Sequence, residues 1–464
     1  MNSQPQSERE TWRAIVFSSD GTKALLKVSE GGFVFPSVEI PRWERLAENL
    51  TAALEKQWGC EAVCLFTLND SSQHGGTNDS YEVMECWRDD AHSSDTVWQP
   101  IDSLTLDSFE DPAEYRIFER SFEQLDRYER DPSSPFARRG SFTRVRNWTR
   151  DAIRPFGLEL ETSFRQYNSS ESFSLIRFET NGPAVWFKAV GEPNLREFPI
   201  TLKLAELLPE FLPEVLATRP EWNAWLSREV EGTSLGDTKA AALWEKAASG
   251  LAKLQLDSTS RADSILDAGA HDLRTDRLLD SVDPFFEVVA RLMEEQTKVS
   301  PPALSREELG LLKLRLEDTL ALVGDFGIPN ALGHLDLNPW NVILTGSGCV
   351  FLDWAEAYVG LPFFSFEYLL EHFRREVGQD AVLESAFVDA YRAPWRQLLS
   401  DDVSSEAFAL APLAAVYAYA AGTQAWKDKE KLRDAMTGGY FRSLARRMSR
   451  EAIQLIERRP ACLS

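Results

Sequence analysis

The segment Gly333–Trp354 reads GHLDLNPWNVILTGSGCVFLDW, and the rest of the chain is read outward from it. VIL (Val342 to Leu344) and CVFL (Cys349 to Leu352) are apolar strands joined by the turn formers TGSG, which is a hairpin signal. Pairing Leu344 with Cys349 places Asn341 opposite Leu352, so Asn341 and Asp353 emerge together at the open end. Neighbouring strands lie about 5 Å apart, close enough for both side chains to hold one cation. Oxygen ligands in such a number suit Mg²⁺, which takes one or two protein groups beside substrate phosphates. Asp336 precedes Asn341 in the same loop, with Pro339 bending the chain between them. A carboxylate there that does not ligate the cation can accept the proton of a substrate hydroxyl. The plainer alternative is a polar-ended hairpin whose Asp and Asn only cap turns.

The bulk properties narrow the setting. At 464 residues the chain is too long for one ordinary core, and 43% hydrophobic residues with 14 Trp suffice for two or three packed domains. The net charge of −23 counts against nucleic acid or an anionic membrane as partner, and it would suit a cationic small substrate. No apolar run reads as long enough to span a bilayer, and the polar start MNSQPQSERETW is unlike a secretory signal. Five Cys, at 60, 64, 86, 349 and 462, have no metal-binding spacing, so reduced thiols in a cytoplasmic protein are expected. The oligomeric state is not legible.

The pattern H-x-D-x-x-x-x-N, here His334, Asp336 and Asn341, followed by FLDW with Asp353, resembles the aminoglycoside phosphotransferase (APH) family, which has a protein-kinase-like fold. The resemblance implies Mg²⁺ and ATP as cofactors, Asp336 as catalytic base, Asn341 and Asp353 as Mg²⁺ ligands, and His334 as a structural residue of the catalytic loop. It implies a phosphate-contacting Lys at Lys188 in VWFKAV, whose alternative is a surface Lys on an edge strand. The helix Glu that pairs with this Lys is Glu197 or, as runner-up, Glu206; Asn194-x-x-Glu197 also reads as a capping box. WLSREVEG, with Glu229 and Val230, falls where an inter-lobe hinge would offer backbone groups to adenine. YNSSESF (Tyr167 to Phe173) falls where protein kinases carry a glycine-rich loop, yet it has no glycine.

Departures from the family pattern are equally specific. Leu335 stands where Gly is common, Gln255 where His is common, and Ser365 follows the G-x-P turn without the usual acid, for which Glu367 is the candidate substitute. Trp340, Trp354 and Tyr358 near the site would suit an amine-bearing alcohol through cation–π contacts, core packing being the ordinary role of such residues. There is no Walker A segment, and neither D-F-G nor A-P-E stands where a protein kinase would have it.

The N-terminal region reads as a hairpin around SSDG, then FPSVEI, a helix ending at Gly59 and a buried strand EAVCLFTL. That order is similar to the Nudix fold, but the family's metal-binding Glu pair would fall on Lys56 and Gln57. YERDPSSPFARRGS (Tyr128 to Ser141) reads as a linker. The expected fold is therefore α+β: a bilobal APH-type part with an extra Nudix-like α/β domain lacking catalytic carboxylates. The expected limits are 1–132 for that domain, 140–230 for a β-rich lobe and 231–464 for a helical lobe. The expected activity is γ-phosphoryl transfer from Mg-ATP to a hydroxyl of a small molecule, whether aminoglycoside-like, amino alcohol, sugar or metabolite. The alternative is a non-catalytic nucleotide sensor or partner-binding protein.

Overall fold

In the computed structural model, which describes residues 9–42, 44–68, 80–88 and 95–458, the first strand has apolar residues on both faces. This strand, β1 (Arg9–Phe17), is followed by β2 (Lys23–Ser29), β3 (Gly32–Val34), β4 (Ser37–Pro41), α1 (Leu46–Trp58), β5 (Glu61–Leu68), β6 (Ser80–Arg88) and β7 (Thr96–Pro100). The sheet runs β3-β2-β1-β6-β5, with β4 also on β1 and β7 also on β2; β1 and β6 are parallel. Ala14 and Val16 pack under Leu50, Leu54 and Trp58 of α1. Ile15 and Phe17 pack on the other side against Phe118 and Leu125 of α2 (Pro112–Arg130). Helices on both faces explain the unbroken AIVF run in β1. The predicted helix end is observed: Gly59 adopts φ 66°, the left-handed conformation that a Cβ disfavours.

The stretch read as a linker is packed. Ala137 belongs to the core shared with α2, and Phe136 to the next core along the chain. That next core is closed by α3 (Ser141–Ile153), a helix with no counterpart in the sequence reading, through Phe142, Val145 and Ile153. It lies on a second, antiparallel sheet, built from β8 (Leu160–Ser169), β9 (Ser174–Thr180), β10 (Val185–Ala189), β11 (Val215–Arg219) and β12 (Ala224–Arg228) in the order β11-β12-β10-β9-β8. Val185, Phe187 and Ala189 enter the core with α3, so by strand alternation Trp186 and Lys188 project from the opposite face.

β5 and β8 are the edges of their sheets, and each satisfies the other. The β5–β6 register slips between Cys64 and Phe66. There the buried Gln166 amide substitutes for a strand: Cys64 N–H donates to Gln166 Oε1 at 2.8 Å and Gln166 Nε2 donates to Cys64 O at 3.1 Å. By packing, residues up to Phe198 with Val215–Glu229 form one unit, and Pro199–Glu214 with the chain from Val230 form a second.

Inside the first unit the fully buried Glu82 accepts from Thr67 Oγ1 at 2.6 Å, and burial pushes its carboxyl up to about 8. Thr67 and Cys64 pull against that shift, while Glu171 adds to it. Folding therefore takes up a proton between the ordinary Glu range and pH 8, and stability falls as pH rises across that window. Glu85, raised by burial to about 7, steepens the fall. Glu82→Gln is expected to flatten the dependence and raise the melting temperature at pH 8, as read by thermal melts from pH 5 to 8.5.

The second unit contains α4 (Glu197–Leu207) from Pro199 on, then β13 (Thr233–Ser234), α5 (Ala241–Ser258), α6 (Ala262–Asp267), β14 (His271–Leu273), α7 (Thr275–Glu294) and α8 (Arg306–Asp325). β15 (Ala331–His334), β16 (Val342–Leu344), β17 (Cys349–Phe351) and β18 (Ala357–Gly360) follow, and then α9 (Phe363–Glu376), α10 (Ala381–Trp395), α11 (Asp401–Gly422), α12 (Lys429–Arg433) and α13 (Ala435–Arg458). Two small sheets, β13-β16-β17 and β14-β18-β15, are set against the helices. Contrary to the hydropathy reading, α11 is long and apolar enough by length and composition to cross a bilayer. Its most apolar window is 61% buried, and Leu410, Leu413 and Tyr417 belong to the helical core, so the apolarity serves packing. The chain is thus α+β in composition, with a β-rich first unit and a mainly helical second one.

Candidate active site

The opening hairpin forms in the register that the sequence requires. Leu344 pairs with Cys349 and Val342 with Phe351, and Leu352 N–H donates to Asn341 O at 2.9 Å. Thr345 N–H donates to Gly348 O at 3.0 Å across the turn. At the other end, Asn341 Nδ2 donates to Asp336 O at 3.0 Å, which ties the loop closed and leaves Oδ1 as the oxygen that Asn341 can offer a cation. Asp353 has φ 64°, an unusual conformation for a residue with a Cβ and one that functional sites retain at a cost.

His334 holds the loop to the hairpin. Its buried ring accepts from Asp336 N–H at Nδ1 (3.1 Å), so Nε2 carries the proton and donates to Leu352 O (3.1 Å). Burial lowers its pKa and keeps this neutral tautomer. Asp336 moves the other way: burial raises its pKa, Asp353 adds to the rise, and His334, Asn338 and Tyr368 oppose it. Tyr368 donates its hydroxyl to Asp336 Oδ1 at 3.4 Å.

The departures from the family pattern each have a place here. Ser365 Oγ accepts from His334 N–H at 2.7 Å, so a hydroxyl supports the loop. Tyr358 OH accepts from Ser365 N–H at 3.1 Å, and its ring lies so close over Gly333 that a Cβ there would sit 2.0 Å from it. Gln255 is wholly buried, donates to Pro362 O at 2.7 Å and accepts from Tyr391 OH at 2.6 Å. Glu367 lines the cavity described below. The aromatic residues divide: Trp354 and Tyr358 are core, and only Trp340 is exposed, with its ring against Gly236.

In the first unit Lys188 Nζ meets Glu197 Oε1 at 2.5 Å, with Glu197 buried. Glu206 pairs instead with Lys203 at 2.7 Å on the surface, which decides between the two candidates for the partner of Lys188. Glu229 fits its expected place less fully. Its amide already donates to Ala184 O at 2.9 Å, so of its two backbone groups only the carbonyl could serve adenine. Its carboxylate is gripped by Arg177 at 2.6 and 2.8 Å and accepts from Trp186 Nε1 at 3.3 Å. Sequence reasoning missed this cluster because Arg177, Trp186 and Glu229 meet only through strand pairing. Val230 begins the longer segment of the second unit.

A cavity of about 620 Å³ lies in the second unit beside the Asp336 loop. Leu335, Tyr368, Tyr419 and Tyr440 line it, with acidic Glu371 and basic Arg447 paired on its wall. Tyr368 therefore touches both the cavity and Asp336. This wall was not legible in the sequence, because its residues come from the loop after β15 and from α9, α10, α11 and α13.

Residues 186–400 match the APH family model, the phosphotransferase enzyme family. This APH match contains Lys188, Glu197, Asp336, Asn341 and Asp353, and it leaves the first sheet outside. No curated protein matches the sequence. Among solved structures, the macrolide 2′-phosphotransferase from Brachybacterium faecium is 17% identical over 64% of this chain and 97% of that one, with a TM-score of 0.42. The choline kinase from Cryptosporidium parvum Iowa II is 12% identical over 68% and 97%, with a TM-score of 0.49. The Plasmodium vivax ethanolamine kinase is 14% identical over 70% and 93%, with a TM-score of 0.43. These are similarities only; none defines the substrate of this chain.

Proposed function

We propose that this protein is a Mg²⁺-ATP-dependent kinase of small molecules that moves the γ-phosphoryl group to an acceptor hydroxyl. The observation that carries the reading is the catalytic loop itself: Asp336 beside a cavity, with Asn341 and Asp353 at the open end of the adjoining hairpin. In this reading Asp336 takes the proton of the acceptor hydroxyl, and Tyr368 orients that carboxylate. Neutral His334 keeps the loop in register. Lys188, aligned by Glu197, holds nucleotide phosphates, and Glu229 and Val230 offer backbone groups to the base.

The residues fit Mg²⁺. Among the described residues no three or more His, Cys, Asp or Glu gather into a metal-binding group, but Mg²⁺ needs only one or two protein oxygens when phosphates supply others. Asn341 and Asp353 would hold it, and bound there it would neutralise charge on the transferring phosphates. The cavity takes the acceptor. An aminoglycoside-like compound, amino alcohol, sugar or other hydroxylated metabolite fits tyrosine walls that carry both charge signs. The cationic option rests on the acidic net charge. The buried thiols Cys60, Cys64, Cys86 and Cys349, none of them in a disulfide, suit a cytoplasmic setting; Cys462 lies outside the described residues. For residues 1–132 the proposal remains a Nudix-like module without hydrolase carboxylates, ahead of lobes at 140–230 and 231–464.

One observation favours the second reading, a nucleotide-binding sensor: the Arg177–Glu229–Trp186 cluster occupies the sheet face that also bears Lys188. Mg²⁺-dependent ATP consumption, measured against a panel of hydroxylated acceptors, separates the two. Consumption that rises with an acceptor is expected. Binding of Mg-ATP with no consumption across the panel would leave the sensor.

A further inference from the structure

The turn between β8 and β9 closes without glycine, through Ser170 N–H donating to Phe173 O at 2.9 Å and Phe173 N–H donating to Ser170 Oγ at 3.2 Å. What holds it lies some forty residues earlier in the chain. Tyr128, in the last turn of α2, donates its hydroxyl to Glu171 Oε1 at 2.9 Å, and Phe136 N–H donates to Glu171 O at 3.1 Å. The strand leading into the turn is tied to β5 as well, through Gln166 and through Ser169 Oγ, which donates to Cys64 O at 2.9 Å. On the far side the turn rests on Gly191, just beyond Lys188: a Cβ at Gly191 would lie 1.9 Å from Ser172 Oγ.

A glycine-rich phosphate loop samples many conformations and loses that freedom when it closes on its ligand. Here the turn is already ordered by groups outside the two strands that it joins, so less freedom is lost on binding. We propose that Glu171 is a positioning residue for the nucleotide phosphates, and that the N-terminal α/β segment, through Tyr128 and Phe136, is the support that keeps the β8–β9 turn beside Lys188 in its binding conformation. This rests on the nucleotide-binding reading above. It assigns the N-terminal segment a part in the reaction without any chemistry of its own.

The test uses the full chain, with calorimetric titration of Mg²⁺ and β,γ-imido-ATP and with amide hydrogen exchange over 170–173 in the absence of nucleotide. Glu171→Ala and Tyr128→Phe are expected to weaken the analogue by about fivefold, the effect of one hydrogen bond, and to speed exchange in the turn. Glu171→Gln still accepts from Tyr128 and should restore wild-type affinity; a merely structural loss would lower the melting temperature without moving affinity. Unchanged affinity in both Glu171→Ala and Tyr128→Phe, whatever happens to exchange or melting, overturns the proposal alone. So does a Glu171→Gln variant as weak as Glu171→Ala. If the wild type binds no analogue, the nucleotide reading fails and takes this proposal with it, while the exchange data still show whether the tie exists.

Discussion

Asp336→Ala is expected to lower kcat by about 10²–10⁴-fold while leaving the affinity for Mg-ATP essentially unchanged. The proposed base is a single carboxylate whose loop is held by other groups: the Asn341 amide bonds the backbone carbonyl of Asp336, and His334 receives its backbone N–H. Truncating the side chain removes neither tie, so the hairpin and its proposed cation ligands keep their places. Phosphoryl transfer asks more of positioning than of proton removal, so the lower end of that range is the expected one. The pH profile supplies a second signature. Burial raises the pKa of Asp336, so the carboxylate is lost, and kcat falls, as pH drops through a value above the ordinary Asp range. The variant should lose that acid limb. Turnover by Asp336→Ala at the wild-type rate would show that the base is elsewhere.

Asp353 carries the second large effect. Mg-ATP at about 100 times its dissociation constant should stabilise the wild type by roughly 2.7 kcal/mol. That corresponds to a rise of about 5–10 °C in the melting temperature if the second unit melts as a whole. Asp353→Ala is expected to abolish this rise by removing one of the two proposed cation ligands. The positive φ of Asp353 provides a control for folding: Asp353→Gly removes the Cβ that the left-handed conformation disfavours. Asp353→Gly should therefore melt higher than Asp353→Ala, which lacks the same carboxylate, yet gain nothing from Mg-ATP. An undiminished Mg-ATP shift in both variants would remove Asp353 from the site.

The hairpin that bears these residues was readable because its information is local. The strands, turn formers and polar ends fall within one short stretch, and strand pairing fixes which residues are opposed once the turn is placed. The helix end at Gly59 was readable for the same reason, since one residue without a Cβ supplies the conformation needed. The linker reading at Tyr128–Ser141 shows where this stops. Proline, serine and charge describe an exposed stretch correctly on average, yet Phe136 and Ala137 within it are drawn into two cores. The partner of Lys188 shows the same limit: Glu197 and Glu206 are both plausible on one helix, and the choice depends on where that helix enters against β10.

By itself the sequence determined the Asp336 loop, its hairpin register and the family resemblance, because each depends on near neighbours in the chain. Only the tertiary structure decided that Ser365 holds the loop at His334, that Gln255 joins Pro362 to Tyr391, and that Tyr368 joins Asp336 to a cavity. It also decided that β5 and β8 close each other's edges through Gln166 and Cys64. Those contacts join residues far apart in the chain. No local pattern encodes them, because which buried polar groups must satisfy one another is set only when the separate cores pack.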